Sequence, residues 1–311
     1  MVLTGPTGVG KTDLAVRLAD FLAAQNCRIE IVSADALSVY RELEIGTAKP
    51  PISTRRRIVH HLMDVTSIAA VGRRTAGFSA GDFSRKFTAL IPRLPDPILV
   101  VGGTGFYIDA VVRGLADNPP ASAEIRDRLM VEDQISPGSL FDRLRKIDPA
   151  AAMAIGPANR QRIVRALEVC EITARPFSQS ARRRPAFAPD IFVLEMDRAR
   201  LLRLIEDRTR RMFDGGLPEE VDRLLRSFPV SLPAFSAIGY AEAVLLVTGR
   251  IDKEEAVDRT CRRTRQLAKR QLTWWRHFRY ERKWMAPADL SPEDLWRRWK
   301  ECDACGGFSS S

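Results

Sequence analysis

Gly5-Pro6-Thr7-Gly8-Val9-Gly10-Lys11-Thr12 is a complete GxxxxGK[ST] phosphate loop, and no other stretch constrains this chain as strongly. The motif works only where a strand feeds the loop and a helix leaves it. Both flanks are present. Met1-Val2-Leu3-Thr4 is strand-like, and Lys11 to Ala24 places Leu14, Leu18, Phe21 and Leu22 on one helical face. Such a loop turns backbone N–H groups toward a polyphosphate at a helix N-terminus, Lys11 adds a point charge, and the Thr12 hydroxyl can reach a Mg²⁺ ion. The expected fold is α/β, a P-loop NTPase-like parallel sheet flanked by helices. The loop alone predicts a bound di- or triphosphate such as ATP, and leaves open whether that phosphate is transferred, hydrolysed or released.

Arg28 to Ser33 reads as a second buried strand, followed by Ala34-Asp35-Ala36-Leu37-Ser38. Ligands of open α/β sheets sit beyond the carboxyl ends of the strands, which puts Asp35 beside the phosphate loop. An Asp there serves either chemistry or a turn, and its position does not choose between them. Pro97 to Val101 is the most apolar strand and reads as central in a parallel sheet. Hydrolases with this loop normally close such a strand on an Asp that helps hold Mg²⁺. This strand runs instead into Gly102-Gly103-Thr104-Gly105, which weighs against simple nucleotide hydrolysis. The glycines beside Thr104 predict clearance for something to thread past the backbone.

The composition changes along the chain. Residues 1–116 read as the first part of the P-loop core, and 117–189 as an Arg-rich helical insertion domain without an evident strand. Strand character returns at Asp190 to Met196. Residues 190–285 complete the core with a helical C-terminal region, Arg198 to Phe213, Pro218 to Phe228, Ile238 to Thr248 and Asp252 to Phe278. Residues 286–311 are predicted to be a short helix and a frayed, partly disordered tail.

Lys and Arg total 49 against 39 Asp and Glu, a net charge of +10 that suggests a polyanion larger than one nucleotide. The charges recur at helical spacing. Gln161, Arg162 and Arg165 share one side of a helix whose opposite row is Ile163, Leu167 and Cys170. Arg262, Arg265, Gln266, Lys269, Thr273 and Arg276 form a stripe about four turns long, with Trp274, Trp275 and Phe278 near its end. Two such faces fit a nucleic acid gripped by its phosphates. The five cysteines are scattered, and Cys302-x-x-Cys305 lacks the second ligand pair of a zinc site. No apolar run reaches the ~18 residues of a membrane helix. With no export signal visible, the expectation is a cytoplasmic monomer with reduced thiols and no membrane association.

These pieces, in order, resemble the bacterial tRNA dimethylallyltransferases, also called tRNA isopentenyltransferases. The resemblance rests on the phosphate loop, Ser33-Ala34-Asp35, Ile45-Gly46-Thr47-Ala48-Lys49-Pro50, His61-Leu62-x-Asp64 and Phe78 to Phe83. It continues through Val101 to Tyr107, Arg162 to Val169, Ile238-Gly239-Tyr240 and Thr264 to Gln271. It implies transfer of a dimethylallyl group from dimethylallyl diphosphate to N6 of adenine 37 in tRNA, with Mg²⁺ as cofactor. It further implies that Asp35 is the base, that Thr104 lines the channel where base and donor meet, and that Lys11 and Thr12 serve the diphosphate and the metal. Asp35, Ala36, Leu37, Ser38 and Thr104 match tRNA-facing positions. So do Arg126, Gln161, Arg162, Ile163, Val164 and Arg165, together with Arg259, Thr260, Cys261, Arg262, Arg263 and Thr264. Two departures stand out. Ala36 replaces a small polar residue, and Ser236 occupies a position where some relatives carry a diphosphate-contacting Arg. Two other readings of the loop stay open: a small-molecule or nucleotide kinase with the insertion as lid, and a non-catalytic RNA-binding protein that senses nucleotide.

Overall fold

A computed structural model describes residues 1–71, 77–181, 184–285 and 290–305. Strand β1 (Val2–Thr4) leads through the phosphate loop into α1 (Lys11–Ala23), and β2 (Ile31–Ser33) follows. Next come α2 (Ile52–Arg57), β3 (His60–His61), α3 (Ile68–Val71), α4 (Ala80–Leu90), β4 (Leu99–Val101) and α5 (Gly105–Val112). The insertion is α6 (Ala123–Ile135), α7 (Ser139–Ile147), α8 (Pro149–Ile155) and α9 (Arg160–Thr173). The chain returns through β5 (Ile191–Leu194), α10 (Arg198–Asp214), α11 (Leu217–Ser227), α12 (Tyr240–Val247), α13 (Lys253–His277), β6 (Lys283–Met285) and α14 (Pro292–Cys305).

The strands form one parallel sheet in the order β3-β2-β4-β1-β5-β6, the α/β class that the loop demanded. Alternation of side chains feeds two cores. Val2, Val32, Val100 and Val193 face α4, α5, α11 and α12, while Leu3, Ile31, Leu99 and Phe192 face α1, α10 and α14. Burial on both faces explains why these strands are continuously apolar. Helix α13 supplies Val257 and Trp275 to the first core and Ala268 to the second, so it passes across the carboxyl end of the sheet. The insertion has its own core of Leu129, Leu140, Leu144, Ile163, Ala166 and Leu167.

Helix α4 starts on a reciprocal cap made by Ser79 and Asp82. Ser79 Oγ accepts from Asp82 N at 3.1 Å, and Asp82 Oδ2 accepts from Ser79 N at 3.0 Å. The short helix expected in the tail is found as α14, and the chain just before it is more ordered than its sequence suggests. Lys283–Met285 adds an edge strand to β5, and Leu290, Leu295 and Trp299 bury themselves against the α1 face. Within α14 the apolar positions 295 and 299 are one turn apart, so the helix gains its order by docking rather than by propensity. Residues 306–311 lie outside the described residues.

Several of the motifs quoted above are scaffold. Any side chain at Gly46 would run into the Tyr240 ring, 2.3 Å from the position of a Cβ. Tyr240 donates to Glu220 Oε1 at 2.7 Å, and Glu220 accepts from Glu44 N and Ile45 N. Asp64 accepts from Lys49 Nζ at 2.5 Å and from Arg55 Nη1 at 2.8 Å, and the Lys49 side chain is wholly buried. Asp64→Ala strands that ammonium with Glu44 3.7 Å away and the Tyr40 carbonyl at 2.6 Å. Because those two partners remain, the loss in urea unfolding should be about 2 kcal/mol, below the range for fully orphaning a buried charge. A change under ~0.5 kcal/mol, typical of surface substitutions, would show that the pair contributes nothing.

Candidate active site

Strand order puts the phosphate loop between the exits of β4 and β5. Gly5 turns there with φ 139°, and a Cβ on it would lie 2.4 Å from the Leu194 carbonyl oxygen, so only glycine can sit between the two strands. Helix α10 packs on the same loop through Ile205, whose Cγ1 would lie 3.0 Å from a Cβ at Gly8. Arg208 stands three residues on from Ile205 along α10 and therefore shares its side of the helix. Its charge is felt at Lys11.

Lys11 donates from Nζ to the carbonyl oxygens of Gly5 at 3.0 Å and Pro6 at 2.8 Å. Its pKa falls to about 7, through burial first and the nearby Arg208 charge second, with Asp35 opposing both. Burial likewise lowers the pKa of Arg208, with Asp35 again acting in the other direction. Two desolvated cations thus face one carboxylate, an excess of positive charge that a diphosphate would neutralise. Arg208 escapes a reading of the sequence alone, where it is one of several arginines on α10. The useful signal is its place three residues after Ile205, on the margin of the buried row Leu201, Ile205 and Thr209. At the position compared with a diphosphate-contacting Arg, the Ser236 hydroxyl donates to Pro233 O at 2.6 Å.

The Lys11 shift has a measurable consequence. A group that titrates near 7 in the empty site is mostly neutral at pH 8 and mostly charged at pH 6. Anion binding that restores its charge therefore takes up about one proton at pH 8 and about a tenth of one at pH 6. Calorimetry of inorganic diphosphate binding in buffers of different ionisation enthalpy should show this, after correction for the ligand's own protons. Lys11→Met should abolish it, and an uptake independent of pH would contradict the shift.

Asp35 closes the turn after β2. Its Oδ1 accepts from Leu37 N at 2.9 Å, Ser38 N at 3.1 Å and the Ser38 hydroxyl at 3.3 Å. Oδ2 has no hydrogen-bond partner among the described residues. The turn role and the chemical role thus fall on different oxygens of one carboxylate. Thr104 Oγ1 accepts from Ala36 N at 3.0 Å, which leaves its O–H free to donate elsewhere. The adjacent glycines do not clear an open path, as the sequence suggested. A Cβ at Gly102 would meet the Ala34 carbonyl oxygen at 2.1 Å, and one at Gly105 would meet Trp274 Nε1 at 2.4 Å. The protein's own atoms take that space.

The residues matched to tRNA contacts separate by environment. Gln161 and Arg162 are exposed on α9, whereas Ile163 and Val164 are buried in the insertion core. Arg126 makes a two-pronged pair with the fully buried Glu168, at 3.0 Å on each prong, and Arg165 reaches the same carboxylate at 2.5 Å. On α13, Arg262 is exposed, Thr264 is half-buried, and Thr260 and Cys261 are buried. Arg259 pairs with Glu255 and Arg263 with Glu242. Further along the same helix, Gln266, Lys269, Arg270, Thr273 and Trp274 line a groove of about 740 Å³ together with Arg113. Of the three aromatics near the end of the stripe, Trp275 fills core, Trp274 lines the groove, and Phe278 belongs to both.

Comparison with known proteins covers nearly the whole chain. The family model described as IPP transferase matches residues 38–278. A curated protein of Pelotomaculum thermopropionicum called tRNA dimethylallyltransferase is 38% identical over 294 residues, spanning 92% of this chain and 90% of its own. The crystal structure of the full-length tRNA isopentenylpyrophosphate transferase from Bacillus halodurans superposes with a TM-score of 0.65 at 30% identity, covering 98% of both chains. A eukaryotic dimethylallyltransferase acting on tRNA shares the fold, with a TM-score of 0.77 at 22% identity over 98% of this chain and 79% of its own. Among the described residues, no helix is long and apolar enough to cross a membrane.

Proposed function

Since this chain belongs to the IPP transferase family, and is thereby a prenyltransferase that modifies tRNA, we propose that dimethylallyl diphosphate is its donor and N6 of adenine 37 its acceptor. The observation that carries the reading is the meeting of an Asp35 carboxylate, one oxygen unspent, with two desolvated cations at a phosphate loop.

The exocyclic amine of adenine is a poor nucleophile while it keeps both protons. Asp35 Oδ2 takes one as the bond from N6 to the first carbon of the dimethylallyl group forms. The bond from that carbon to the diphosphate oxygen breaks in the same displacement, and its electron pair leaves with the diphosphate. Charge then grows on the oxygens facing the loop amides, Lys11 and Arg208, with Lys11 turned from the Gly5 and Pro6 carbonyls and protonated once the diphosphate is bound. Thr104, bonded to the backbone beside Asp35, has its hydroxyl proton left to orient the base.

Mg²⁺ fits this site as a further proposal. Thr12 is exposed at the start of α1, and its hydroxyl with diphosphate oxygens would make a set of hard donors, while Asp35 Oδ2 stays free to take the proton. The ion would add charge neutralisation for the leaving group. Among the described residues, no cluster of three or more His, Cys, Asp or Glu side chains could hold a metal without the substrate. The adenine has to leave the anticodon-loop stack to reach Asp35, and the cationic face of α13 is the proposed support for the displaced strand.

The test is direct. Incubation with labelled dimethylallyl diphosphate, Mg²⁺ and bulk tRNA should yield N6-dimethylallyladenosine on digestion. No labelled nucleoside, together with steady ATP consumption on a small metabolite, would favour the kinase that these relatives speak against.

A further inference from the structure

We propose that Gln271 is a positioning residue that fixes the diphosphate cradle against the acceptor side of the site. The inference rests on the functional reading above but is testable without it. Gln271 Oε1 accepts from the backbone N–H of Thr7 in the phosphate loop at 2.8 Å. Its Nε2 donates to the carbonyl oxygen of Gly103, at the exit of β4, at 2.9 Å. One planar amide thus joins two loops that are about a hundred residues apart in sequence and belong to adjacent strands.

The chemistry at both ends is fixed. Thr7 N can only donate and Gly103 O can only accept, so a single orientation of a carboxamide satisfies both, whereas an ionised carboxylate of the same length satisfies only the first. The backbone is shaped for it, because a Cβ at Gly103 would fall 2.6 Å from Gln271 Nε2. The adjoining residue is Thr104, whose hydroxyl accepts from Ala36 N beside Asp35. A continuous path of bonds therefore runs from the phosphate loop through Gln271 and Gly103–Thr104 to the segment that presents the base.

One turn along α13, the Trp274 indole lies over Gly105, so the helix seats on the 103–105 turn at two points. Neither Thr7 N nor Gly103 O has another use in the proposed chemistry. The Thr7 amide is spent on this tie instead of facing a phosphate, so the tie controls where the remaining loop amides point.

Two near-isosteric substitutions separate the ends. Gln271→Met removes both bonds, and Gln271→Glu keeps an acceptor for Thr7 while losing the donor to Gly103. Inorganic diphosphate binding, followed by calorimetry, needs no transfer activity. It should weaken about tenfold in the Met variant, the worth of roughly one hydrogen bond, and more than that in the Glu variant, whose carboxylate also repels the anion and the Gly103 carbonyl oxygen. In the prenyl-transfer assay, kcat per folded molecule should fall about tenfold or more in both, and the donor KM should rise in both, further in the Glu variant. A merely structural role would lower the melting temperature and leave diphosphate affinity and donor KM per folded molecule unchanged. Unchanged diphosphate affinity in Gln271→Met overturns the inference, as does loss of activity that follows the folded fraction alone. The expected binding pattern in a protein whose wild type transfers nothing would overturn the functional reading and leave the inference standing.

Discussion

Asp35→Asn should lower kcat for prenyl transfer by about 10²–10⁴-fold, the range for removing a positioned general base. Asn is the informative choice because it keeps the turn. The oxygen that accepts from Leu37 N and Ser38 N survives, and the substitution puts an amide at the unspent position. tRNA affinity should therefore stay within about threefold of wild type, and the melting temperature within a few degrees. A second effect follows from the charge balance. Asp35 opposes the loss of Lys11's proton, so without it the Lys11 pKa drops further below about 7 and more of the site is neutral at physiological pH. The substitution also removes a negative charge that faces the anion, so diphosphate binding should tighten at pH 6, where Lys11 stays charged, and tighten less at pH 8. A wild-type rate in Asp35→Asn would remove Asp35 as the base, and unchanged diphosphate affinity would remove it as the counter-charge.

What could be read from the sequence was what is locally encoded. The loop and its helix, the Ser79–Asp82 cap and the apolar β4 depend on neighbours within four residues, and all three recur in the fold. The double burial of the sheet was legible because both faces require apolar residues. Strand β6 was not legible, since a three-residue edge strand with Lys283 exposed carries no alternation that sets it apart from loop. Helix α8 is capped by Asp148 and opened by Pro149, but its seven residues give too short a periodic signal to be told apart within the helical insertion.

The site divides in the same way. Asp35 and Thr104 could be placed because parallel strands deliver their carboxyl ends to one edge. Which oxygen of Asp35 is free could not, since that depends on the turn's own N–H groups. The charged α9 face looked like one RNA-binding surface. Arg165 instead shares the buried Glu168 with Arg126, from a helix 39 residues earlier in the chain, and a pairing at that separation leaves no periodic trace. The same blindness hid Gln271 among the basic residues of α13, and it hid the cation that the Ser236 position lacked.

That cation, Arg208, carries the second large expectation. Arg208→Gln should slow transfer by about 10²–10³-fold, the effect of removing one preorganised group from developing oxyanion charge. Folding stability should move the other way. Arg208 is desolvated and faces Lys11, and Asp35 offsets the two only in part, so the ligand-free protein bears an electrostatic cost that the substitution removes. The melting temperature of Arg208→Gln should equal or exceed that of wild type, which a residue conserved for structure would not allow. Removing its field also raises the Lys11 pKa, so the proton uptake on diphosphate binding at pH 8 should shrink. Arg208→Lys tests whether charge alone suffices. A point charge cannot bridge two phosphate oxygens as a planar guanidinium does, so it should recover only part of the rate. An Arg208→Gln variant with wild-type kcat and a lowered melting temperature would make Arg208 a scaffold residue and return leaving-group stabilisation to Lys11 and the loop amides alone.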